Sequence, residues 1–329
     1  MYSLRQSNSY SPYRLACSTA LIALLGIFCS TASGQQPAGQ ASVSRSFTAP
    51  ELERFLDMAY LRTTEYADSF RDLTAEEKQS VELYNALGVL MRRREILSDF
   101  VVYQSRFKRE VAAEYRNVRE VDKVEVPGRQ ERVLRIFKKL AATSSVNQEL
   151  ALISDEASRY DLNYSIQGYT LKQGLALQPE VRSAFDFEVV GSEKVEGQEV
   201  VLVKYKQRAP NPYLKVDLSL PSMPKANEPY YRGRLWLDAR TAQIRREERD
   251  LVLEAPRVKE PLVLIRQEFF YTASPFGILV PQRITLTTLG SVKLDGDRVA
   301  SSTLGGRLVY EYGPFSKFNV VIPGANVQE

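Results

Sequence analysis

The spacing of turn signals and apolar runs predicts an α+β protein: an N-terminal helix followed by a curved antiparallel sheet, a half-barrel, covered by a helical pair. Three observations carry that reading. Beyond Tyr160, short runs of alternating apolar residues recur between turn signals, with no convincing helical period among them. Ahead of Tyr160 stand three stretches whose apolar residues fall at helical spacing. Strands that follow one another without intervening helices pair as an antiparallel meander, and a sheet wet on one face needs cover on the other, for which the helices are the natural material.

The chain opens on a polar stretch carrying Arg5 and Arg14, then an apolar run at 15–28 (LACSTALIALLGIF), then the small residues of 29–34. This is the layout of a secretory signal peptide. The run is short for a membrane span of ~20 residues, so cleavage after Ala32 or Gly34 is expected, leaving no transmembrane anchor. The expected location is periplasmic or secreted. Residues 35–47 read as a flexible linker and 48–329 as a single domain.

Thr48-Ala49-Pro50-Glu51 fits a capping box with Pro in the first turn, and Leu52, Phe55, Leu56, Ala59 and Tyr60 follow as one stripe. Residues 76–103 alternate about a turn at Asn85-Ala86-Leu87-Gly88, which favours a hairpin over a second helix. Residues 111–126 read as a strand pair. After Pro127-Gly128, Val133, Ile136, Phe137 and Leu140 mark one helix. Ser145 and Gln148 cap another, with Val146, Leu150, Ile153 and Ala157 facing inward. Strands are then expected around 185–189, 201–205, 234–237, 244–253, 262–271, 278–288 and 304–312, with turns at Glu196-Gly197, at 238–241 and at Asp295-Gly296. The stretch 207–233 holds five prolines, which cannot donate to a strand ladder. It reads as a long loop, either a solvated connection or a flap over a cavity.

Composition excludes much. There is no histidine, and both cysteines, Cys17 and Cys29, lie in the leader. A Ser-His-Asp triad, thiol chemistry and the usual zinc sites are thereby ruled out of the mature chain, and no metal or other cofactor is expected. The net charge of +4 falls by two once the leader's two arginines are removed, which gives no push toward nucleic acid. The basic clusters at 92–94 and 106–109 have acids close by and read as solvated faces. The adjacent pairs Asp155-Glu156 and Glu247-Glu248 read as surface residues, and Asp295-Gly296-Asp297 as a hairpin tip rather than a calcium site.

The runs Tyr115-Arg116-Asn117-Val118-Arg119-Glu120-Val121-Asp122, Arg132-Val133-Leu134-Arg135-Ile136-Phe137 and Ser158-Arg159-Tyr160 resemble uncharacterised exported bacterial proteins. So does Gly233-Arg234-Leu235-Trp236-Leu237-Asp238 with Thr241, Ile244 and Arg246 after it. The strand-turn-strand at 233–246 is also similar to the lipoprotein-sorting carriers of the LolA/LolB type. That resemblance implies an N-terminal helix, a curved half-barrel whose apolar concave face is plugged by helices, and a lipid or lipoprotein ligand.

No catalytic residue stands out. Phe185, Phe187, Phe269 and Tyr271 alternate in strands and are candidates to line an apolar ligand cavity; ordinary sheet core is the competing reading. Trp236 shares its strand face with Arg234 and Asp238, so it is expected to be partly exposed, at the rim of such a site or on plain surface. The leading functional expectation is an envelope binding or carrier protein for a lipid-like or lipoprotein ligand. The alternative is a structural or regulatory module of an envelope assembly, partnered by an envelope protein, and a carboxylate-based enzyme ranks third.

Overall fold

The computed structural model describes residues 47–70, 73–108, 110–162, 169–214, 228–254 and 258–317. The expected leader, nearly all of the linker and residues 215–227 of the proline-rich stretch, the core of the expected flap, lie outside them. One helix, α1 (Ala49–Ser69), precedes a hairpin of long strands, β1 (Leu73–Tyr84) and β2 (Leu90–Gln104), followed by β3 (Ala112–Val121) and the short β4 (Val124–Glu125). Two helices come next, α2 (Arg129–Ala141) and α3 (Val146–Ala157), and a single helical turn, α4 (Pro179–Arg182). Seven long strands then run as β5 (Phe185–Val195), β6 (Gln198–Gln207), β7 (Tyr230–Asp238), β8 (Ile244–Leu253), β9 (Leu262–Ala273), β10 (Leu279–Asp295) and β11 (Arg298–Tyr312), with the short β12 (Ser316–Lys317).

All twelve strands join one antiparallel sheet in the order β4-β3-β2-β1-β11-β10-β9-β8-β7-β6-β5, with β12 also paired to β1. Every neighbour is a sequence neighbour except where β11 and β12 pair with β1, so the chain lays down one end of the sheet, leaves, and returns from the far end to close against its first strand. Local chemistry fixes the turns. Asn85 Oδ1 accepts from the backbone N–H of Leu87 and of Val89, and Gly88 takes φ +77. At the β7–β8 corner the Asp238 carboxylate accepts from Arg240 N and Thr241 N. A buried carboxylate held by two amides titrates low: burial opposes the charge, but the amides, the Thr241 hydroxyl and Arg245 outweigh it.

The register defines two faces. Val203, Leu235, Glu247, Phe269, Ile284, Tyr310, Gln79 and Ile96 stand opposite one another in one row across eight strands. Side chains alternate along a strand, so this row and its i±2 neighbours form the inner face. α1 covers its middle. Thr48 N donates to the Glu51 carboxylate at 2.8 Å, completing the predicted capping box, and Phe55, Leu56, Ala59 and Tyr66 are buried. Residues 169–184 complete the cover, with Ala176, Leu177 and Val181 buried in the same core.

The predicted helical pair sits elsewhere. Tyr115 and Val101 point away from the face that carries Arg116 and Phe100, and they pack with Ile136, Leu140 and Ile153. α2 and α3 therefore lie on the outer face of β2 and β3, at one end of the sheet, and α1 with residues 169–184 covers the inner face. Period alone says which stripe of a helix is buried and not which face of a sheet receives it. Phe137, placed in the buried stripe by sequence, is half exposed. Among the described residues no helix is long and apolar enough to cross a membrane.

Leu56 is fully buried between α1 and the sheet. Leu56→Ala removes about three methylene equivalents and opens a cavity, so a loss of about 2–5 kcal/mol is expected from urea unfolding. A change within about 0.5 kcal/mol, the usual size for a surface site, would show that α1 is not part of the core.

Candidate functional site

The inner face is apolar with two charged clusters set into it, one on β1 and β3 and one on β8. Toward β5 and β6, Phe185 and Phe187 pack around Tyr205, with Phe185 and Tyr205 edge to face at 5.6 Å. Toward the centre, Phe269 is fully buried beside Tyr169, and Tyr271 meets Tyr66 of α1 edge to face. Four of the five predicted site residues thus share one face and one core.

Trp236 does not join them. It lies on the outer face opposite Leu202 and Arg246, only 3% exposed, and its indole N–H donates to the Glu193 carboxylate. The guanidiniums of Arg246 and Arg234 cover the ring at 4.4 and 5.3 Å. The expectation of a partly exposed rim residue fails because long arginine stems cover an aromatic ring as well as apolar side chains do.

Two ion clusters stand in the inner face. Arg116 donates from Nε to Glu77 at 2.6 Å and from Nη2 to both Glu77 and Glu114 at 2.9 Å, and all three side chains are buried. Six strands away in the sheet, Arg249 donates to Glu247 from Nε and Nη2, at 3.0 and 2.6 Å, and to Gln267 Oε1. The guanidiniums lie over aromatic rings, Arg116 above Tyr310 at 5.1 Å and Arg249 above Phe269 at 5.2 Å. The sequence reads Glu247 with Glu248, and Glu156 with Asp155, as surface residues. Glu247 and Glu156 are buried instead, Glu156 against Arg132 at 3.1 Å. Adjacent residues face opposite ways on a strand and lie about 100° apart on a helix, so one member of each pair meets solvent and the other needs an arginine. Arg106 likewise is bound rather than simply solvated: it reaches Glu149 at 2.8 Å.

Residues 169–174 lie over this face as a strap tied to the charged groups. Thr170 N donates to Glu114 at 2.8 Å, and Gly174 N to Glu247 at 2.9 Å. The Thr170 hydroxyl meets the Tyr312 hydroxyl at 2.7 Å, Tyr66 donates to the Thr170 carbonyl, and Gln267 donates to the Tyr169 hydroxyl. Gln79 donates to Asp161 at 3.0 Å. Gly174 takes φ +58, and a Cβ there would meet Ile244 at 2.9 Å and Leu177 at 3.0 Å, so glycine is required where the strap hands over to the packed residues 175–181. Beneath Tyr169 lies a cavity of about 10 Å³, lined also by Gln267, Phe269, Ile284, Leu286, Leu308 and Tyr310. It is large enough for about one water and for no larger ligand while the strap is in place.

Electrostatics follow from burial. Burial raises the Glu77 carboxyl above its ordinary value near 4.5 despite the pull of Arg116, and Glu114 raises it further because two carboxylates share one guanidinium. Burial opposes the charge on Arg116, but Glu77 and Glu114 outweigh it and hold its pKa well above normal. Burial likewise lifts the phenols of Tyr66, Tyr205, Tyr271, Tyr310 and Tyr312 well above their usual value, so all remain neutral. Among the described residues no cluster of three or more acids is placed to hold a metal ion. The arrangement offers an apolar bed with fixed polar contacts.

Sequence reasoning missed Arg116, Glu77, Glu114, Arg249, Thr170 and Gly174. β8 reads Ile-Arg-Arg-Glu-Glu-Arg-Asp before its apolar end, with charges at both parities, so alternation gives no sign that Glu247 and Arg249 face inward.

In structure the chain is similar to a DUF1329 family protein from Desulfovibrio piger, at 12% identity and a TM-score of 0.31, over 83% of this chain and 95% of that one. It is also similar to a putative outer membrane lipoprotein-sorting protein domain from Vibrio parahaemolyticus, at 11% identity and TM-score 0.38, over 82% and 95%. A third likeness is to a LolA superfamily protein from Nitrosomonas europaea, at 10% identity and TM-score 0.26, over 80% and 94%. These are the protein classes that the sequence resembles. No family model matches the chain, and no curated protein matches its sequence. Likeness this distant carries no argument about ligand or partner.

Glu77 gives a test of the charged bed. Its folded pKa lies above the unfolded one, so the native state binds the extra proton, and its contribution to stability is present below about pH 4.5 and lost as pH rises through the folded value. Glu77→Gln keeps the shape without the charge, and Glu114 remains to pair Arg116. Urea midpoints measured from acid to neutral pH should show wild type losing stability relative to Glu77→Gln as pH rises. A gap that moves the other way would mean a depressed Glu77 pKa.

Proposed function

We propose that the protein is an envelope binding or carrier protein for an acyl-bearing ligand, a lipid or a lipoprotein, taken up on the inner face when the strap withdraws. The observation that carries this reading is the nature of the strap's attachment. Between Tyr169 and Gly174 it is tied to the sheet and to α1 through hydrogen bonds that involve Thr170, Gly174, Tyr66 and Gln267, above apolar side chains that include the predicted Phe269. A net hydrogen bond contributes about 1 kcal/mol, and a ligand's polar group can replace it in kind. Residues 175–181 stay packed, so the movement pivots at Gly174. Tyr271 lies beside this bed, and Phe185 and Phe187 extend the apolar face toward its far edge.

The β1–β2 turn favours a second reading, a docking module of an envelope assembly. Leu87, Val89, Leu90 and Met91 are all exposed there, Leu87 to 79%. A run of four exposed apolar residues at a hairpin tip is a contact surface that no fold requirement explains.

Titration with a dansylated long-chain fatty acid tests the carrier reading. Saturable one-to-one binding with blue-shifted emission is expected. Thr170→Ala, which removes the hydroxyl contact to Tyr312, should tighten it about fivefold by lowering the cost of opening. Absence of saturable binding to both proteins, or equal affinity of the two, would overturn it.

A further inference from the structure

The outer end of the sheet carries a second surface that the inner face does not use. α2 faces β3 through Ile136 and Leu140, while Leu134 is 62% and Phe137 49% exposed. These two stand at i and i+3, one above the other on the helix. The Phe137 ring is rooted against Tyr115, edge to face at 6.2 Å, so its outer half is held in place. Phe107, also 49% exposed, sits on the loop after β2, with the Arg106 guanidinium over its ring at 5.3 Å. The same guanidinium donates to the carbonyls of Leu140 and Ala141, which seats that loop at the C-terminal end of α2.

Cations surround these apolar side chains. Arg135, Lys138 and Lys139 are exposed, and none has an ion-pair or hydrogen-bond partner among the described residues. Glu149 and Glu156 are buried and paired and Glu110 pairs with Lys108, while Glu131, one turn before Arg135, and Asp155 on α3 are exposed, so the three cations outnumber the exposed acids of α2 and α3 beside them. Exposed apolar residues among unpaired cations match an interface with anionic headgroups above and acyl chains below. Long Lys and Arg stems reach the headgroup phosphates while their methylenes stay with the apolar side chains.

From this we infer that α2 and the loop bearing Phe107 form a contact surface for an anionic phospholipid bilayer, with Leu134 and Phe137 entering the acyl boundary and Arg135, Lys138 and Lys139 pairing with lipid phosphates. The surface is independent of whether the inner face takes a ligand.

Sedimentation of the purified protein with vesicles of phosphatidylethanolamine and phosphatidylglycerol, against vesicles of phosphatidylcholine alone, tests this. Binding to the anionic vesicles, weakened by salt, is expected, with little to the neutral ones. Each cation removed should weaken it on the order of fivefold, so Arg135→Ala with Lys138→Ala and Lys139→Ala should lose on the order of a hundredfold. Leu134→Ser with Phe137→Ser should also abolish retention. All five positions are exposed, so an unchanged thermal midpoint serves as the control for folding, and Lys138→Ala with Lys139→Ala alone is the milder variant if the midpoint falls. Equal binding to both vesicle types, binding unaffected by either set, or no binding at low salt would overturn the inference. Capture of an acidic peptide without vesicle binding would do so in favour of a protein partner.

Discussion

The pairing of charges on the dry face of the sheet constrains everything around it. Arg116 and Arg249 stand in an apolar face, and an ion taken there from water costs several kcal/mol unless its hydrogen-bonding capacity is met. Glu77, Glu114 and Glu247 meet the arginines, yet each carboxylate has further oxygens to satisfy. The strap supplies the missing donors from its own backbone, Thr170 N to Glu114 and Gly174 N to Glu247. A segment without regular secondary structure can therefore lie across a buried surface, because its polar groups find partners that an apolar face would not provide.

That arrangement divides the cover into two kinds. α1 and residues 175–181 are held by apolar packing, with Leu56, Ala176 and Leu177 fully buried. The strap is held by exchangeable hydrogen bonds over an apolar bed with hardly any free volume. Packing of the first kind resists piecemeal opening because each methylene lost leaves a void. Bonds of the second kind can be traded for those of an incoming group. Gly174 stands at the junction, in a backbone conformation that a larger residue adopts only under strain.

Much of this architecture was legible in the sequence. Alternation located β5 to β11 and resolved 76–103 as a hairpin, and the Thr48–Glu51 box located the start of α1, because caps, turns and period are local signals. The face on which α2 and α3 pack was not legible, since it depends on how the chain turns at the edge of the sheet. Nor was the charged bed: Glu247 and Glu248 look alike in sequence, and only the register makes one inner and one outer. Phe185, Phe187, Phe269 and Tyr271 were found by alternation. Trp236 was placed on the correct face but given the wrong exposure, because Arg234 and Arg246 cover it with side chains that sequence reasoning assigns to water.

The central claim is that the strap is a layer that opens while the sheet stays folded. Amide hydrogen exchange resolved by residue tests it most directly, comparing Thr170 and Gly174 with Glu247 and Phe269 on β8 and β9. The account predicts that the strap amides exchange on the order of a hundredfold faster than the sheet amides through a sub-global opening. Exchange of all four at one rate, set by global unfolding, would contradict it.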